Sequence, residues 1–161
     1  MDIFPASLRD LGPLRHMEQA CFPKDAWPLL DLMAVLTWPE VIRLKAVVAG
    51  RMVGFIAGDP RRTEGMGWIA TVGVLPEYRR QGIARALLRE CEKRLHTAHL
   101  RLCVRLDNTG AIRLYEQEGY RRVGTWTKYY NDGGDALVME KEQANIDSSK
   151  DLIAGSDDLK P

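Results

Sequence analysis

Apolar positions along this chain alternate between helical and strand spacing, and the changes of spacing mark out ten elements. Leu8, Leu11, Leu14, Met17 and Cys21 recur every three or four residues behind Ser7-x-x-Asp10, a capping-box-like start. They predict a first helix that Phe22-Pro23 ends, with Pro13 weakening its interior. A second short helix is expected over Pro28 to Leu36. Val41 to Val48 and Met52 to Asp59 read as strands joined by a hairpin at Ala49-Gly50-Arg51, and residues 60–66 as a polar connection. Trp68 to Val74 is a run of β-formers closed by Pro76. Ile83, Leu87, Leu88, Cys91 and Leu95 then return to helical spacing. Leu100 to Leu106 alternates with Arg101 and Arg105 and predicts a strand. Asn108 or Thr109 caps a short helix, Ala111 to Glu118, which Gly119 stops. Tyr120 to Trp126 and Asp135 to Glu140 are the last strands, with Tyr129 to Gly134 a loop between them.

The order ααβββαβαββ predicts an α/β (α+β) fold: a central mixed, mostly antiparallel, twisted sheet of about six to seven strands flanked by helices. Residues 1–141 are expected to form one domain. From Glu142 the sequence turns polar, and 142–161 reads as a loosely held tail with Leu152-Ile153 as a docking point.

Composition narrows the function mainly by exclusion. A net charge of +1 gives no reason to expect nucleic-acid binding. Cys21, Cys91 and Cys103 are far apart, without metal-ligand spacing, and read as free thiols in a reducing compartment, with no metal site. The start MDIFPASLRD lacks the pattern of a signal peptide, and no apolar run approaches a membrane span. A cytoplasmic protein is expected.

The positive charge is local. Arg79, Arg80, Arg85 and Arg89 cluster where the 68–74 strand turns into the next helix. Gly82 and Ala84 let a ligand approach the backbone there, beside free N–H groups that carry about half a positive charge. This is a diphosphate site in physical terms. It lacks the lysine and Ser/Thr of a Walker loop and the three glycines of the dinucleotide fingerprint.

Two motifs carry a family resemblance. Arg79-x-x-Gly82-x-Ala84 resembles the coenzyme A loop of the GNAT superfamily of N-acetyltransferases. About 25 residues later, Asn108, Ala111, Tyr115, Gly119 and Tyr120 resemble that superfamily's Asn-x-x-Ala-x-x-x-Tyr-x-x-x-Gly-Phe/Tyr segment. Within it the chain looks most like the ribosomal-protein-alanine N-acetyltransferases. Cys21-Phe22-Pro23 matches their Phe-Pro, and Lys128-Tyr129-Tyr130 their Tyr-Tyr loop.

The resemblance implies the GNAT fold and direct acetyl transfer from acetyl-CoA to a primary amine, most nearly a protein or peptide α-amine. It implies that Val72, Gly73 and Val74 hold the cofactor arm and the oxyanion, and that Arg79, Arg80, Gln81, Gly82, Ile83, Ala84 and Arg85 take the diphosphate. Asn108 would hydrogen-bond the arm, Tyr115 would protonate the departing thiolate, and Phe22, Tyr129 and Tyr130 would flank the acceptor. One position departs: the related group has a general-base Glu five residues before the Asn, and here it is Cys103. A thiol of pKa about 8.5 is a poor base at pH 7. An α-amine of pKa about 8 is about one-tenth neutral at pH 7, a lysine amine below about one part in a thousand. A site without a strong base therefore favours α-amines. The alternatives are a small-molecule amine acceptor, for which Asp25, Asp31, Glu40 and Asp132 are scattered carboxylates, and a non-catalytic acyl-CoA-binding module. The oligomeric state is not readable.

Overall fold

The computed structural model describes residues 1–143. In chain order the elements are β1 (Asp2–Pro5), α1 (Leu11–Cys21), α2 (Leu29–Thr37), β2 (Ile42–Val48), β3 (Arg51–Arg61) and β4 (Met66–Val74). Then come α3 (Ile83–Leu95), β5 (His99–Arg105), α4 (Thr109–Gln117), β6 (Arg121–Trp126) and β7 (Ala136–Glu142). The strands form one sheet in the order β1-β2-β3-β4-β5-β7-β6, antiparallel throughout except for the β4–β5 pair. The expected sheet is there, with one strand more than the element order anticipated.

The extra strand is β1, which pairs Asp2 with Val47 through Pro5 with Leu44 at the edge of the sheet. Four residues closed by a proline carry too little alternation to announce a strand. The polar connection expected at 60–66 is also shorter. β3 runs on through Pro60 to Arg61, β4 begins at Met66, and a single turn over Arg62–Glu64 joins them. Pro13 weakens nothing, because it is the third residue of α1, where the N–H has no intrahelical partner anyway. The capping residues do hold: Asp10 accepts the Ser7 N–H at 2.9 Å and Lys45 Nζ at 2.6 Å. The tail and the Leu152-Ile153 docking point lie outside the described residues.

Helices cover both faces. α1 and α2 bury Leu14, Met17, Leu32, Val35 and Leu36 against Phe55 and Ala57 on one side. α3 and α4 bury Leu87, Leu88, Cys91, Leu95, Ile112 and Tyr115 with Ile56, Ile69, Leu100 and Leu102 on the other. α3 sits close because β3 offers it glycines. A Cβ on Gly58 would lie 2.7 Å from Cys91 Sγ, and one on Gly54 2.9 Å from Leu87 Cδ1. Cys91 is fully buried there, and burial pushes its thiol up to about 12. It packs and does no chemistry. On α3, Glu92 accepts Tyr120 Oη at 2.8 Å and Lys141 Nζ at 2.6 Å, so its buried charge is paired.

One irregularity opens the sheet between β4 and β5. β3 pairs Ala57 with Thr71 and Gly58 with Ile69, leaving Ala70 without a partner: a β-bulge. The bulged strand bends. β4 pairs with β5 only from Met66–His99 to Ile69–Leu102, and past that point the strands part. β5 stays with β7 as far as Arg105. The edge of Thr71–Val74 that faces β5 is therefore open.

Candidate active site

The open edge leads into a basic helix start. After Val74 the chain turns over Pro76–Tyr78 and reaches Arg80 with φ +63° and Gly82 with φ +78°. Two left-handed residues in three aim the backbone outward before α3 begins. No side chain caps α3, and its first backbone bond runs from Ala86 N–H to Gly82 C=O. The N–H groups of Ile83, Ala84 and Arg85 are left for an external acceptor. A Cβ on Gly82 would meet nothing within 4 Å, so the space above it is free.

A cavity of about 560 Å³ connects strand edge and helix start. It brings together Val72, Gly73, Val74, Arg79, Arg80, Gly82, Ile83, Ala84, Arg85, Asn108, Tyr115 and Phe22, twelve residues singled out from the sequence. Gln81 is exposed and does not line it. Tyr78, Arg113 and Gln117 line it and were not anticipated.

The arginines divide by role. Arg79 Nε donates to the Val74 carbonyl at 3.1 Å, which also accepts Cys21 Sγ at 3.3 Å, so Arg79 fastens the loop to the strand. Arg85 reaches Gln117 Oε1 at 2.6 Å and Glu118 at 2.8 Å, and Arg89 takes the other oxygen of Glu118 at 2.7 Å. Arg80 and Arg113 have no hydrogen-bond or ion-pair partner among the described residues. They are the cations left for a ligand.

Asn108 accepts the Ala111 N–H on Oδ1 at 3.2 Å, so it caps α4 and keeps its amide nitrogen free to donate. Tyr115 is 7 % exposed, and burial pushes its phenol up to about 12. It stays protonated near neutral pH and so can donate its proton.

The opposite flank is less gathered. The Phe22 ring lies 3.4 Å from where a Gly73 Cβ would be, at the cavity wall. Tyr129 and Tyr130 stand outside the cavity, on the β6–β7 connection. They meet edge to face at 5.1 Å, and Tyr129 continues onto Trp126, which stacks on Trp68 at 6.2 Å. Cys103 is half-buried, and burial pushes its thiol up, against the pull of Arg101. At neutral pH it therefore offers even less thiolate than a free thiol does.

Residues 11–120 match the sequence model of the Acetyltransferase (GNAT) family. The chain belongs to this family. Its relatives include the N-alpha-acetyltransferase RimI of Mycobacterium tuberculosis, 35 % identical over 125 residues, which are 75 % of this chain and 78 % of that protein. The N-terminal acetyltransferase A complex catalytic subunit ard1 of Schizosaccharomyces pombe is 29 % identical over 155 residues, 91 % of this chain and 88 % of its own. Among solved structures, the ribosomal-protein-S18-alanine N-acetyltransferase of Escherichia coli superposes with a TM-score of 0.79 at 27 % identity, covering 91 % of this chain and 97 % of that one. The protein is thus a GNAT acetyltransferase, and its sheet is the fold of that family.

Two charged residues near this opposite flank escaped sequence reasoning. Glu18 is 3 % exposed, accepts the Trp27 N–H at 3.3 Å, and is pushed up to about 7 by burial. The signal was present: a glutamate on the stripe of Leu14, Met17 and Cys21 faces inward. Arg105 reads from sequence as one arm of an alternating strand, yet its partners are 80 and 27 residues away. No local pattern announces such pairing.

Proposed function

We propose that this enzyme transfers acetyl from acetyl-CoA to the N-terminal α-amine of a protein or peptide, within a catalytic domain spanning residues 1–141. The observation that carries the reading is the open Thr71–Val74 edge running into an uncapped, basic helix start. A pantetheine arm is a peptide-like chain and adds to such an edge as a strand would. In this reading Val72, Gly73 and Val74 bind the arm and offer N–H groups to the oxyanion. The N–H groups of residues 82–85 take the diphosphate with Arg80, while Arg79 holds the loop. The Asn108 amide nitrogen donates to the arm.

Transfer joins the acceptor nitrogen to the thioester carbonyl carbon and breaks the carbon–sulfur bond. The thiolate needs a proton. Tyr115, buried at the cavity and protonated, supplies it, and the proton that the acetylated nitrogen sheds restores the phenol through solvent. The acceptor must arrive as a neutral amine, and Cys103 is no base to make it so. That favours α-amines over lysine. The names of the relatives, two of them N-terminal or N-alpha acetyltransferases, support the same acceptor. Phe22, Tyr129 and Tyr130 would flank it.

The test is acetylation of a peptide library carrying both free N-termini and internal lysines, with mass-spectrometric localisation of the acetyl group. Acetyl on N-terminal nitrogens is expected. Acetyl confined to lysines would overturn the acceptor assignment.

A further inference from the structure

Arg105 ends β5, past the point where β5 has parted from β4. Two residues after Cys103, it lies on the same face of the sheet. Its side chain is 18 % exposed and reaches three segments. Nη1 donates to Asp25, between α1 and α2, at 2.8 Å. Nη1 and Nη2 also grip both oxygens of Asp132, between β6 and β7, at 3.2 and 2.8 Å. Nε reaches Asp107 at 3.2 Å, and the guanidinium lies 4.7 Å over the Tyr130 ring. The fit is close: a Cβ on Gly134 would stand 2.5 Å from Nη2.

We infer that Arg105 is a positioning residue for the acceptor, latching together the two loops that flank its approach. The inference rests on the acceptor side proposed above. The only other ion pair between these loops among the described residues, Lys24 with Asp132, is 3.9 Å long and exposed. Three carboxylates surround Arg105, and among the described residues Lys24 is the one further cation paired with them. Removing Arg105 therefore leaves like charges facing each other, and the loops part. A lysine keeps the charge but not the fork that holds Asp25 and Asp132 at once. None of the latch residues lines the cavity assigned to acetyl-CoA. The latch thus acts on one substrate only.

The test compares Arg105→Gln and Arg105→Lys with the full-length parent, using a peptide with a free N-terminus. Arg105→Gln should raise the peptide KM about tenfold or more, leave the acetyl-CoA KM within about twofold, and Arg105→Lys should fall between. Hydrogen exchange should quicken in residues 22–28 and 127–135 together, and not at the start of α3. Unchanged exchange in either loop, or an acetyl-CoA KM that rises as far as the peptide KM, would overturn the latch. If the parent acetylates no peptide, the acceptor assignment fails by itself, and the exchange measurement still decides whether Arg105 holds both loops.

Discussion

The proposed acetyl-donor groove and the proposed acceptor approach meet at β4 but are made of different materials. The groove is mostly backbone: a strand edge freed by a bulge at Ala70, two left-handed residues, and unpaired N–H groups at an uncapped helix. The acceptor approach is mostly side chain: one guanidinium among three aspartates, and aromatics running from Trp68 to Tyr130. A backbone site needs particular residues at fixed short spacing, so it leaves a motif. A side-chain site gathers residues from distant segments, so it can change without disturbing the motif. One family can thus keep its donor while varying its acceptor.

The largest expected effect falls on the backbone side. Gly82→Glu puts a carboxylate against the diphosphate and fills the open space above Gly82. Acetyl-CoA affinity should fall on the order of 100-fold or more, while the positive φ costs only about 1–2 kcal/mol of stability. Calorimetry with a circular-dichroism check reads both. A folded variant with parental affinity would remove the groove.

Tyr115→Phe comes next. It keeps the buried ring and deletes the proton donor, so kcat should drop roughly 10- to 100-fold with little change in acetyl-CoA affinity. With the phenol pushed up to about 12, the parent's kcat should show no falling limb from this group below pH 10 or so. Equal losses of rate and affinity would make Tyr115 a binding residue.

Cys103→Glu sharpens the comparison by restoring a carboxylate on the acceptor side. Its rate should rise about tenfold below pH 8, where an α-amine is mostly protonated, and least above it. The gain should be larger on lysine. A stable variant with the parental profile at every pH would mean that another group already removes the proton.

Glu18→Gln should affect stability and scarcely touch rate. Burial holds the Glu18 carboxyl up at about 7, against 4.5 for the free group. The folded state therefore binds this proton more tightly than the unfolded chain does. Its stability is full below about pH 4.5, falls as pH rises through 7, and is down on the order of 3 kcal/mol by pH 8. Gln keeps an acceptor for the Trp27 N–H without the charge. The variant should melt above the parent at pH 8 and close to it at pH 4.5. Parallel melting curves would contradict a buried carboxylate.

The legible parts of the sequence were those with local causes. Gly82 with Ala84, the alternation of β5, and the Asn108 cap of α4 each act within a few residues, and each stands where it was expected. β1 was missed because four residues carry no period, and the run of β3 through Pro60 because a proline reads as a break. Tyr129 and Tyr130 carry a likeness to the family, but their place outside the donor cavity, with Tyr130 beneath the Arg105 guanidinium, is set by contacts that only the folded sheet brings about. Arg105 itself was invisible, since nothing in a linear chain pairs residue 105 with 25 and 132.

A site without a strong base should take the amine that is already neutral. Two peptides of one sequence test it at pH 7: one with a free N-terminus and a blocked lysine, the other with the blocks exchanged. The α-amine peptide should have the higher kcat/KM by about 100-fold or more, the ratio of the two neutral fractions. Equal values, or a preference for lysine, would contradict the account.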